Sequence, residues 1–147
     1  MGRNRIYIIL GVLMCMVAVG CSTKKNTANT RRWHAFTARY NTYYNGHEAY
    51  KEGMLEQERA NKDNYMEPLP YFFIGNKKTI GTGSGNFDRA IEKSQKAIKQ
   101  HSIKKKPKRK AGEKKTEKMI RWYAKKEYNP FIHRAWFLMA KAQFQKG

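Results

Sequence analysis

His133-Arg134-Ala135-Trp136-Phe137-Leu138-Met139-Ala140-Lys141-Ala142-Gln143-Phe144-Gln145-Lys146-Gly147 is the stretch on which the fold turns. Asn129 is placed to cap a helix here, and Pro130 stands at its first position, where a missing N–H costs nothing. The helix is predicted to run to the end of the chain. Working outward, Asn86 is placed to cap a helix from Phe87 to about His101, with Phe87, Ala90, Ile91, Ser94, Ala97 and Ile98 on one face. Between these two, Met119, Ile120, Tyr123 and Ala124 predict a short amphipathic helix, and Pro107 breaks any helix before it. Nearer the start, Trp33, Phe36, Tyr40, Tyr43 and Tyr44 recur at helical spacing and form one predicted stripe. Asn45-Gly46 interrupts it, and Asn45 with Glu48 suits a capping box opening a helix over 47–60. Ala49, Tyr50, Gly53 and Met54 would face inward, making a helical hairpin. The fold class is all-α.

The quoted stretch resembles the first helix of a tetratricopeptide repeat, W-x2-L-G-x2-Y. Trp136 takes the tryptophan place, Met139 the leucine and Ala140 the small residue. Phe144 substitutes for the tyrosine beside Gln143, and Gly147 stands at the turn. The segment 85–92 resembles the turn and second helix of such a repeat. Ala90 and Ala97 take its small positions, although Ser94 stands where Phe is usual. Gly85 and Gly147 are 62 residues apart. A repeat of about 34 residues leaves room for an insertion between repeats. A generic helical bundle is the alternative. A first repeat helix lacking its second would leave Trp136, Met139 and Phe144 without a packing partner, so the expectation is the N-terminal piece of a longer chain.

Composition narrows the function. The chain has 147 residues, Lys and Arg number 31 against 11 for Asp and Glu, and the net charge is +20. The length excludes a large two-domain enzyme, and two cysteines, Cys15 and Cys21, exclude a disulfide scaffold. The apolar run from Ile6 to Val19, after Arg3 and Arg5, is 14 residues long. That is short for a membrane span and fits a secretory signal over 1–20. Ala18-Val19-Gly20-Cys21 resembles a bacterial lipobox, with Ala18 in place of the usual Leu. The resemblance implies lipid attachment at Cys21, with 21–30 as a tether. An uncleaved anchor helix is the alternative. By resemblance to lipoprotein sorting signals, Ser22-Thr23-Lys24-Lys25-Asn26 implies the periplasmic face of the outer membrane.

The region 31–147 would then be helical, with a loop over 61–85 and a basic insertion over 103–128. In the loop, Pro68 and Pro70 pin an apolar run and Gly81 to Gly85 form a flexible linker. Residues 96–126 carry 14 Lys or Arg, centred on Lys104, Lys105, Lys106, Lys108, Arg109 and Lys110. Such a run suits anionic lipid head groups, lipopolysaccharide phosphates or an acidic protein face; a merely solvated loop is the other reading. Nucleic acid is not expected, because an exported chain rarely meets it and stacking aromatics are missing from the run. His34, His47, His101 and His133 lack metal-ligand spacing, so no metal, cofactor or catalytic group is expected.

The lipobox, Phe36-Thr37-Ala38-Arg39-Tyr40-Asn41, Tyr44-Asn45-Gly46 and the terminal repeat together are similar to the N-termini of tetratricopeptide lipoproteins of the Bacteroidetes gliding and type IX secretion apparatus, the group called PorW or SprE. That resemblance implies a non-enzymatic outer-membrane scaffold whose partners are other envelope secretion and motility proteins. A helical nutrient-binding or envelope-maintenance lipoprotein is the alternative, and a basic nucleic-acid-binding protein a more distant one.

Overall fold

The structure, a computed structural model, describes residues 25–69, 79–109 and 116–146, with Tyr7, Thr23 and Gly112 besides. The described residues are helical and contain no strand. The helices are α1 (Ala28–Thr37), α2 (Tyr44–Ala60), α3 (Ser84–His101), α4 (Glu117–Tyr123) and α5 (Ile132–Lys146). A π turn, Ala38–Tyr43, joins α1 to α2 without leaving helical backbone.

The first 33 helical residues therefore form one helix, not a hairpin. Asn45 opens nothing: its side-chain amide donates to the Asn41 carbonyl 2.9 Å away. Gly46 is not a turn but a point of close approach. A Cβ there would lie 3.1 Å from the Lys93 Cβ and 3.4 Å from the Ala90 carbonyl oxygen of α3. The true start of the helix is Thr27, whose hydroxyl accepts the Thr30 N–H at 3.2 Å.

The aromatic stripe also lies differently from its prediction. Trp33, Phe36, Tyr40 and Tyr44 are each more than half exposed. The buried seam is Thr30, His34, Ala38, Thr42, Gly46, Ala49, Gly53 and Gln57. Small and short side chains let α3 come close, and bulky rings would hold it off. Seven steps of this seam cover 27 residues, about 3.9 per turn, whereas an α-helix turns in 3.6. The π turn supplies the difference, keeping the seam on one face.

α3 runs antiparallel to this long helix, since His101 meets His34 at one end and Phe87 meets Gly53 at the other. Its start is Ser84, three residues before the prediction, with left-handed Gly83 (φ +74°) at the cap. Only glycine fits there: a Cβ would stand 2.7 Å from the Gly53 carbonyl oxygen. The Asn86 side chain donates to Glu56 rather than capping. The expected flexible linker is a pair of turns, closed by Thr82 N–H to Thr79 O and Ser84 N–H to Gly81 O.

α5 runs antiparallel to α3 and parallel to α2. Asn129 donates to the His101 carbonyl at one end, and Lys146 pairs with Asp88 at the other. The Asn129 side chain accepts the Phe131 N–H at 3.0 Å, so it caps as predicted, although helical pairing begins at Ile132, two residues past Pro130. Ala49, Phe87, Ala90 and Ala142 form the core where the three helices meet. This layer, up, down and up, positions every exposed surface described below.

Candidate interaction surface

The basic insertion leaves the body and returns to it at one point. Ile103, fully buried, accepts the Tyr128 N–H on its carbonyl at 3.0 Å. Glu127 fastens the junction: Oε1 accepts the N–H groups of Ile103 (2.8 Å), Tyr128 (3.1 Å) and Asn129 (2.8 Å), and Oε2 accepts the Ser102 hydroxyl. One carboxylate thus gathers four donors from the two ends of the excursion. Trp122 of α4 is held at the flank, edge-on to Tyr128 and flanked by the Arg31 guanidinium and Lys125 ammonium at 5.1 and 4.9 Å. Asn26 ties the tether to the same region, donating to the Lys105 carbonyl and accepting from Arg31, each at 2.6 Å.

Lys104, Lys105, Lys106, Lys108 and Arg109 are all exposed there, so the pinned backbone presents their charges to solvent. Lys110 lies outside the described residues, as do Cys21 and Gly147.

The repeat-like positions divide between inside and outside. Ala90 and Ala97 of α3 are fully buried. On α5, Ile132, Ala135, Leu138 and Ala142 face the core. Met139 is half-buried, while Trp136, Ala140 and Phe144 face away together with Phe137. Ala140 therefore meets no neighbouring helix among the described residues. The outer flank of α5 is apolar and aromatic.

A buried pair joins α1 to the end of α3: His34 Nδ1 and His101 Nδ1 stand 3.0 Å apart. One ring must donate and the other accept, so the contact needs at least one neutral imidazole. Burial pushes the His101 imidazole below its ordinary value, and the His34 ring acts in the same direction. No sequence pattern pairs these two, because 67 residues separate them. Among the described residues no group of three or more His, Cys, Asp or Glu side chains converges as a metal site would require. No helix among them is long and apolar enough to cross a membrane.

No protein-family model matches the chain, and no curated protein matches it.

Proposed function

We propose that this chain is a lipid-anchored scaffold of the bacterial envelope, held to the periplasmic face of the outer membrane through Cys21. Its helical stack engages other proteins of the type IX secretion and gliding machinery. The observation that carries the reading is the three-helix layer with an aromatic outer flank on α5. In a helical repeat array each helix pair contacts only its neighbours, and the stack grows by burying the next apolar face. Ala90 and Ala97 on the inside, with Trp136, Ala140 and Phe144 on the outside, fit a tetratricopeptide-like layer of this kind. The basic excursion adds a positive surface suited to anionic head groups or acidic protein faces. The activity is binding, without catalysis.

The test has two arms. Cells expressing the chain are labelled with a palmitate analogue and fractionated. Labelling and outer-membrane recovery that vanish in Cys21→Ala support the anchor, whereas unlabelled chain in the cytoplasm overturns it. Cross-linking the intact chain in those cells, followed by mass spectrometry, is expected to recover secretion or motility proteins. Recovery of none, with helices that become protected only by a small solute, would favour the nutrient-binding alternative.

A further inference from the structure

The +20 charge is unevenly spread. Residues 25–47 contain Lys25, Arg31, Arg32 and Arg39 but no carboxylate, and residues 128–146 contain Arg134, Lys141 and Lys146 but no carboxylate. The acids of the long helix begin at Glu48. α1 with its π turn and the start of α5 thus face one another as two acid-free elements.

Between them lies a groove of about 400 Å³, lined by Ala35, Phe36, Arg39, Tyr40, Pro130, Phe131, His133 and Arg134. Its walls are aromatic: Phe36 stacks on Tyr40 at 4.7 Å between ring centres. Phe131 is fixed by the edge of Tyr43 at 5.0 Å. Each arginine lies over a wall ring, Arg39 over Tyr40 at 5.1 Å and Arg134 over Phe131 at 5.8 Å. Stacking covers one guanidinium face and leaves the in-plane N–H donors free to point outward. Among the described residues neither arginine has a carboxylate within ion-pair distance.

We infer that this groove docks an acidic segment of a partner protein, with the Arg39 and Arg134 guanidiniums taking carboxylates and the Phe36–Tyr40 wall taking an apolar side chain between them. The planar fork of arginine matches a carboxylate through two parallel hydrogen bonds. A positive rim without internal partners draws an anionic ligand and repels a cationic one. A cleft between two helices, walled by rings, suits a mixed acidic and apolar peptide better than the flat array of a lipid surface. The protein nature of the occupant rests on the scaffold reading; the charge and shape of the site do not.

The test uses the full chain in neutral detergent and a fluorescein-labelled peptide, Asp-Glu-Leu-Phe-Glu-Asp, against its amide counterpart, Asn-Gln-Leu-Phe-Gln-Asn. Anisotropy is expected to show the acidic peptide binding about tenfold more tightly. Arg39→Gln/Arg134→Gln should weaken it by about tenfold. Lys96→Gln/Lys99→Gln, the same charge change on exposed α3, should weaken it by less than about threefold. Tyr40→Ala should weaken both peptides alike. All substituted positions are exposed or at the surface, and circular dichroism confirms that each variant is folded. Equal losses in the two double variants would show diffuse attraction and overturn the site. So would equal affinity for the two peptides, or binding of phosphatidylglycerol vesicles that is lost with Arg39 and Arg134 while the peptide is ignored. If the peptide binds but cross-linking in cells finds no secretion proteins, the groove stands and the scaffold reading falls. If cross-linking finds them equally with the Arg39→Gln/Arg134→Gln chain, the reverse holds.

Discussion

Glu127 shows how one residue can decide a connection. Its carboxylate accepts four donors where the chain leaves α3 and where it returns to α5. Replacing it by alanine strands three backbone N–H groups at a partly buried junction. Charge-assisted bonds of this kind and the cost of orphaned donors predict a loss of about 2–3 kcal/mol for Glu127→Ala. Urea denaturation reads that loss. Trypsin should also cut the basic excursion faster, since its ends are no longer fastened. The His34–His101 contact makes a second prediction, on pH. The folded-state pKa of His101 is lowered, so the folded chain binds fewer protons than the unfolded one just below the ordinary histidine value of about 6.5. This contribution to stability is complete above that value and is lost as the pH falls through it. The melting temperature should therefore drop between pH 7.5 and 5.5. His101→Gln removes the titrating ring and should flatten that dependence, whatever its effect on absolute stability. An unchanged pH slope in the variant would refute the assignment.

At the scale of elements the long helix is the informative one, because its seam and its sequence pattern disagree. The π turn holds one residue more than an α-helix needs to keep Thr30 and His34 on the face that carries Gly46 and Gly53. Deleting exposed Asn41 should let the turn revert to α-helix with both flanking faces preserved. The melting temperature would change little. Deleting exposed Glu52, within regular helix, rotates everything before it by about 100° against α3 and carries Thr42, His34 and Thr30 out of the seam. That variant should unfold at a much lower temperature, or not fold. Comparing the two melts tests the turn directly. The same disagreement explains what the sequence could tell. The inward face of α3 and the cap at Asn129 were legible, because apolar spacing and a side-chain acceptor act locally. The aromatic stripe misled because rings normally mark a core, whereas here close helix approach requires Ala38, Gly46 and Gly53 instead. Asn45-Gly46 carried a turn signature, but its glycine answers to Lys93 and Ala90, 40 and more residues away. The basic run of the candidate surface was visible as composition. The clamp that presents it and the groove between α1 and α5 depend on distant partners, which local patterns do not encode.

For the molecule as a whole, the charge of +20 opposes the compact state, because like charges spread over a small surface repel one another. The ion pairs that could offset this are few. Those among the described residues are His47–Glu48, Lys51–Glu48, Arg121–Glu117 and Lys146–Asp88, with side chains from 39% to 86% exposed. Exposed pairs of this kind contribute about 0–1 kcal/mol each. Added salt therefore removes little attraction and much repulsion. The melting temperature should rise between about 20 and 300 mM sodium chloride, over which the screening length shrinks from about 20 Å to about 6 Å. Neutralising Lys104, Lys105, Lys106 and Lys108 to Gln removes four charges that the clamp holds at one side of the body. It should raise stability at low salt and reduce the salt dependence. A melting temperature that falls with salt, or a dependence untouched by the four substitutions, would place the dominant electrostatics elsewhere. The expected result carries a consequence for binding, since any acidic partner supplies locally the screening that salt supplies in bulk. Association should then stabilise the fold most at low ionic strength, by relieving repulsion as well as by making contacts.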